Sequence, residues 1–369
     1  RQRSGVLSFI RVMERFGIIT GRITRKHINS KLDEIVEVDC YIMKLIMEME
    51  EKQMAYGYIK ELSEKVERKH VRYNNRYGMA IAADIYTPKV LDQTKKYTAL
   101  IIGAPYGGVK EQGPCIYADE LAQRGYVILT FDQVFMGESS GEPRHISSPD
   151  LFAESFSAAV DYLGVKIPYV DRERIGVIGI CGSGGFALSA ASVDVRIKAV
   201  ATTSMYDISN IRDMAGLSKE QIDNMKKQLC EQRWRDFENG EPEYHPTFPE
   251  IPYADEDIPE TDSVTNEWNR FYATGRGHHP NALGGFTTTS NLVMMQFKCL
   301  DYVEEISPRP VLLIAGDRAH SKSFSKAAYA KAAEPKELYI VEGAEHIDLY
   351  DKTEFIPFEK LDDFFKKNL

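Results

Sequence analysis

The sequence predicts an α/β fold: a mostly parallel sheet covered by helices on both faces. Two observations carry that expectation. Short apolar runs alternate with amphipathic segments of helical period from about residue 66 onward. A chain of 369 residues with 43% hydrophobic content is also long enough to bury a full core beneath such layers.

The elements follow in chain order. Residues 1–31 carry eight Lys or Arg against one acid, Glu14, and read as a basic extension, a solvated or partner-docking arm. From Leu32 to about Lys65 the pattern turns helical, with Ile35, Val38, Ile42, Leu45 and Met49 forming one apolar stripe. That stripe offers either packing against the body or a homodimer contact. "KHVRYNNRYGMAIAADIYTP" then reads as a hairpin of two strands. It is followed by the strands "YTALIIGAP", "GYVILTFD", "RIGVIGI", "IKAVATTS", "PVLLIAGD" and "ELYIVEG". Helices are expected near 111–124, 150–165, 184–193, 323–333 and 354–367. Residues 206–300 break the alternation. They hold 16 acids and 8 bases up to Ser290 and a proline-rich stretch, and read as a cap inserted over the site. The domain expectation is therefore an extension over 1–65, a core over 66–205 and 301–369, and a cap over 206–300.

Composition excludes several classes of function. A net charge of −9 leaves no basic face for nucleic acid, and no run is long and apolar enough to span a membrane. The cysteines Cys40, Cys115, Cys181, Cys230 and Cys299 are odd in number and lack zinc spacing, so they read as reduced thiols of a cytoplasmic protein. His278 and His279 are adjacent, which is not ligand spacing on a helix, and no metal is expected. "GICGSGG" follows a late strand and lacks the dinucleotide fingerprint, so no cofactor is implied.

The chemistry concentrates in "RIGVIGICGSGG", 174–185, where a strand breaks into small residues around one cysteine and one serine. This is the pattern of a nucleophile elbow, a sharp turn from strand to helix that exposes one side chain. Two registers fit, with either Cys181 or Ser183 flanked by glycines. Because the strand ends at Ile180, the spacing favours Cys181, and Ser183 falls in the first turn of the following helix.

Together with "APYGG" at 104–108, "FDQVFMGESSGEP" at 131–143 and "GAEHIDLYD" at 343–351, the elbow makes the chain from about Val66 to Leu369 resemble the α/β-hydrolase superfamily. The resemblance is to the branch of Xaa-Pro dipeptidyl-peptidases and cocaine esterase. The elbow cysteine is similar to that of dienelactone hydrolase. The resemblance implies hydrolysis of an ester, thioester or related acyl bond of a small molecule through a covalent acyl-enzyme. It implies His346 as base, by chain order, and an acid after "PVLLIAG". There the usual position holds Ala319, leaving Asp317 as the nearest carboxylate and Asp207, after an earlier strand, as the alternative. It also implies an oxyanion hole from the Gly182 backbone N–H and the Tyr106 hydroxyl, with Gly107 shaping the loop. In the cap, Arg276, His278 and His279 are candidates either to hold a substrate carboxylate or to pair with the acidic cap. A binding protein on an inactive hydrolase fold is the competing reading, which Ala319 permits.

Overall fold

The structure, a computed structural model, describes residues 57–210 and 216–369. The basic arm and the apolar stripe expected before them lie outside the described residues, as does the homodimer contact placed there. Gly57–Leu369 forms one compact unit. Its first residues are tied to the body: the Tyr58 hydroxyl donates to Asp84 at 2.8 Å, and Ile59 and Leu62 pack on buried residues.

The described strands are β1 (Val66–Asn74), β2 (Ala80–Pro88), β3 (Tyr97–Gly103), β4 (Val127–Phe131), β5 (Val170–Ile180), β6 (Ala199–Thr203), β7 (Val311–Gly316) and β8 (Lys336–Val341). They form one sheet in the order β1-β2-β4-β3-β5-β6-β7-β8. The hairpin β1–β2 and the β2–β4 pair are antiparallel, and every other pair is parallel. Burial explains the difference in sequence texture. β4, β6 and β7 are covered on both faces and are buried at every position, so they read as continuous apolar runs. At the edges, β1 and β8 leave many of their side chains exposed.

Helices α1 (Gly113–Ala122), α2 (Pro149–Lys166), α3 (Gly182–Val193), α7 (Lys322–Lys331) and α9 (Phe358–Asn368) correspond to the five expected segments. Two hydrophobic clusters separate across the sheet. Phe152, Phe156 and Leu188 from α2 and α3 lie in one, and Ile116, Leu121 and Phe365 from α1 and α9 lie in the other. Between β6 and β7 the chain forms α4 (Lys219–Asn239), α5 (Ser263–Tyr272) and α6 (Ser290–Gln296). A short helix, α8 (Asp348–Asp351), follows β8.

The strand order fixes where chemistry can occur. From β3 the chain crosses to β4 on one side, and from β5 it crosses to β6 on the other. The loops after these neighbouring strands therefore diverge and leave a crevice at their carboxyl ends. Gly103 of β3 pairs in register with Gly179 of β5, which brings the loop of Tyr106 beside the turn at Cys181.

Candidate active site

Cys181 has φ 54° and ψ −122°, a backbone region that residues with a Cβ seldom occupy. Three hydrogen bonds hold it there. Its N–H donates to Thr203 at 3.0 Å, and its carbonyl accepts from Gly184 and Tyr206, each at 2.9 Å. Such a conformation costs roughly 1–3 kcal/mol and persists only where its surroundings enforce it. The neighbours must be small. A Cβ at Gly179 would lie 2.3 Å from the Ser183 carbonyl oxygen, and one at Gly182 would lie 2.7 Å from Tyr106 Cβ.

The turn leaves Cys181 only 2% exposed, its thiol facing the backbone N–H groups of Gly182 and Tyr106 and the hydroxyl of Tyr350. Burial pushes the thiol up to about 11, against the pull of its hydrogen bonds to those three groups. Ser183 is oriented differently. Its Oγ lies 2.7 Å from where a Cβ on Gly103 would sit, beside Phe156, and has no hydrogen-bond partner among the described residues.

His346 lies between β8 and α8 and is fully buried. Its Nδ1 is 2.6 Å from Ser321 Oγ and its Nε2 is 2.9 Å from the Tyr350 hydroxyl. Burial, with His320 adding to it, drives the imidazole well below its ordinary range. The resting pair is thus a neutral thiol and a neutral imidazole, with the Tyr350 hydroxyl between them. Burial holds that hydroxyl well above its usual pKa, so it is neutral too. Sequence reasoning did not single out Tyr350. Its signal was its place four residues after His346, on the short helix α8 that closes the same loop.

Neither candidate acid is hydrogen-bonded to the imidazole. Asp317 accepts from the Gly343 N–H at 2.8 Å and ties β7 to the loop after β8. Asp207 shares a short hydrogen bond with Ser209 and borders a separate cleft with Lys226, Lys298 and Asp301. The loop after β7 instead delivers Ser321, which is fully buried, to Nδ1.

Tyr106 contributes its backbone N–H to the sulfur's surroundings, while its hydroxyl shares a short hydrogen bond with Ser147. Its ring stacks on Phe286 at 4.1 Å. Gly107 has φ 80° and faces the same Phe286 ring. The candidates in the inserted segment are engaged within the protein. Arg276 makes a two-pronged contact with Asp351, both bonds 2.7 Å, fastening the segment after α5 to α8. His278 Nε2 is 2.9 Å from the Pro249 carbonyl oxygen. His279 accepts from the Asn281 N–H, and burial lowers its pKa to about 4.

Aromatic residues surround the Cys181–His346 pair. Tyr206 and Trp268 stand 5.2 and 5.3 Å from the His346 ring, and Tyr272 stacks between Trp268 and Phe248. Trp268 and Tyr272 come from α5 of the inserted segment. Elsewhere, Glu111, Asp132 and Glu138 converge closely enough to suggest a metal. The Lys110 ammonium already bonds all three, at 3.1 Å to Asp132 and 2.6 Å to Glu138. No helix among the described residues is long and apolar enough to cross a membrane.

Comparisons with known proteins agree with this architecture. The family described as X-Pro dipeptidyl-peptidase (S15 family) matches residues 77–236. The PA2218 protein of Pseudomonas aeruginosa is 46% identical over 314 residues, 84% of this chain and 82% of that protein. Its crystal structure superposes with a TM-score of 0.79, covering 85% of this chain and 97% of that one. The YcjY protein of Escherichia coli is 34% identical over 302 residues, covering 80% and 97% of the two chains. The α/β hydrolase GrgF of Penicillium shares the fold at a TM-score of 0.63 and 21% identity, covering 82% of this chain and 99% of that one. With the sheet order, the elbow after β5 and a histidine after β8, these relationships identify the chain as a member of the α/β-hydrolase superfamily, in one family with PA2218 and YcjY.

Proposed function

We propose that the protein cleaves an ester or thioester of a small apolar acyl group through a covalent acyl-cysteine on Cys181. The observation that carries this reading is the strained turn at Cys181, which sets one sulfur against two backbone N–H groups, those of Gly182 and Tyr106. Two N–H donors beside a nucleophile form an oxyanion hole.

In the first half-reaction the sulfur attacks the acyl carbon. The thiol proton leaves through the Tyr350 hydroxyl, whose own proton passes to His346 Nε2. For Nε2 to accept it, Nδ1 must carry its hydrogen and donate to Ser321. The developing oxyanion is met by the N–H groups of Gly182 and Tyr106. When the tetrahedral intermediate collapses, the leaving group departs with the proton from His346. An acceptor such as water then releases the acyl group. The aromatic wall of Tyr206, Trp268 and Tyr272 supports an apolar acyl group, because flat apolar surface gains most there from leaving water.

The test is to react the protein with p-nitrophenyl esters and acyl thioesters of graded chain length and to locate the adduct by mass spectrometry. An acyl group on Cys181, lost in Cys181→Ala and kept in Ser183→Ala, is the expected result. Turnover that survives Cys181→Ala and disappears in Ser183→Ala would move the nucleophile to Ser183. No adduct on either residue would leave the fold as a binding protein.

A further inference from the structure

The site contains a second imidazole, and this one has a carboxylate of its own. His320 lies in the loop after β7, its Nδ1 3.2 Å from Glu267 Oε2 on α5. Its ring stands 4.8 Å from His346, 5.7 Å from Tyr206 and 6.1 Å from Trp268. Its Nε2 is buried and has no hydrogen-bond partner among the described residues. The other oxygen of Glu267 accepts from the N–H of Ile347, the residue after His346, at 2.6 Å. Glu267 is also close enough to Cys181 for its charge to act on the thiol.

The two imidazoles are held differently, and the difference points to different work. His346 meets a hydroxyl at each nitrogen. In a neutral His320 the carboxylate of Glu267 fixes the hydrogen on Nδ1, which leaves the lone pair on an unoccupied Nε2. Carboxylate, oriented imidazole and free nitrogen together are the arrangement of a general base. Its carboxylate comes from the inserted segment rather than from the strand ends.

We propose that His320, oriented by Glu267, is the base of the second half-reaction, taking the proton from the acceptor that attacks the acyl-cysteine. This rests on the acyl-cysteine reading above. With water as acceptor, the water oxygen bonds to the acyl carbon and its proton passes to His320 Nε2. The C–S bond breaks, and its electron pair leaves with the Cys181 sulfur. The imidazolium, balanced by Glu267, then gives up its proton to the thiolate, which restores the neutral thiol. The products are the free acid and the resting enzyme.

Burst kinetics with p-nitrophenyl butyrate separate the two half-reactions in His320→Ala and Glu267→Gln. In both variants the p-nitrophenol burst should remain near one per protein, acyl-Cys181 should accumulate, and steady-state turnover should fall ~10²-fold, the usual contribution of a general base. Added imidazole should restore turnover in His320→Ala without changing the burst, which a merely structural role would not allow. Turnover within about threefold of the parent in both variants, far short of that effect, would overturn the proposal. Loss of the burst together with turnover in Glu267→Gln would also overturn it, by placing the pair in acylation. If the parent itself forms no acyl-Cys181, the reading beneath the proposal fails, and that outcome is visible before any variant is made.

Discussion

The Tyr350 hydroxyl stands 2.9 Å from His346 Nε2 and also meets the Cys181 sulfur, so the proposed nucleophile and its proposed base are joined through a phenol. Tyr350→Phe should therefore slow acylation ~10²-fold, because a proton path of the kind that contributes that much is cut. Single-turnover release of p-nitrophenol measures it. An unchanged or faster rate would show that the phenol only occupies Nε2 at rest.

Burial raises the Cys181 thiol to about 11 and depresses His346, so no ion pair exists to be alkylated at neutral pH. The rate of iodoacetamide reaction at Cys181 should climb about tenfold per pH unit from roughly pH 6 to 9, following the thiolate fraction. A plateau across that window would reveal a preformed thiolate.

Ser321, rather than a carboxylate, meets His346 Nδ1. Ser321→Ala should lower kcat by about tenfold, the worth of roughly 1.4 kcal/mol of lost orientation. Asp317→Asn and Asp207→Asn should leave kcat within about twofold, well under that loss, since neither carboxylate is bonded to the imidazole. Kinetics of the three variants side by side decide it, and a larger effect at either aspartate would reinstate that acid.

Tyr106 presents its N–H to the sulfur and commits its hydroxyl to Ser147. Tyr106→Phe should keep kcat within about threefold, far from the ~10² or more that loss of an oxyanion donor costs. Gly182→Ala should abolish turnover, because its methyl would meet Tyr106 Cβ at 2.7 Å and displace both donors. A large loss of kcat in Tyr106→Phe would return the hydroxyl to the oxyanion hole.

His279 is 5% exposed, and burial lowers it to about 4. The unfolded chain binds this proton near pH 6.5 and the folded one does not, so stability is intact above that value and falls as pH drops toward 4. Between pH 7 and 4.5 the group should cost about 2–3 kcal/mol, in the same direction as His346. Urea midpoints at both pH values, compared between the parent and His279→Gln, isolate the contribution. An equal loss in both proteins would assign the acid sensitivity elsewhere.

The sequence by itself determined the strands, the core helices and the position of the elbow, because these depend on interactions close along the chain. β4 and β7 are apolar throughout since a strand covered on both faces has no solvent side. The turn at Cys181 needs the small residues that flank it at Gly179 and Gly182. His346 follows the last strand, where chain order put it. What only the tertiary structure decided was each side chain's partner. Ser321 and His346 are 25 residues apart, and Glu267 and Ile347 are 80 apart. No periodicity records which of several carboxylates meets a given imidazole across such distances. Arg276 illustrates the same limit. Its charge beside two histidines left both a substrate anion and a protein carboxylate open as partners, and the folded chain brings Asp351 to it with two hydrogen bonds. Local conformational preference is written residue by residue, whereas pairing at a site is settled by which loops the sheet order carries to the same end of the same two strands.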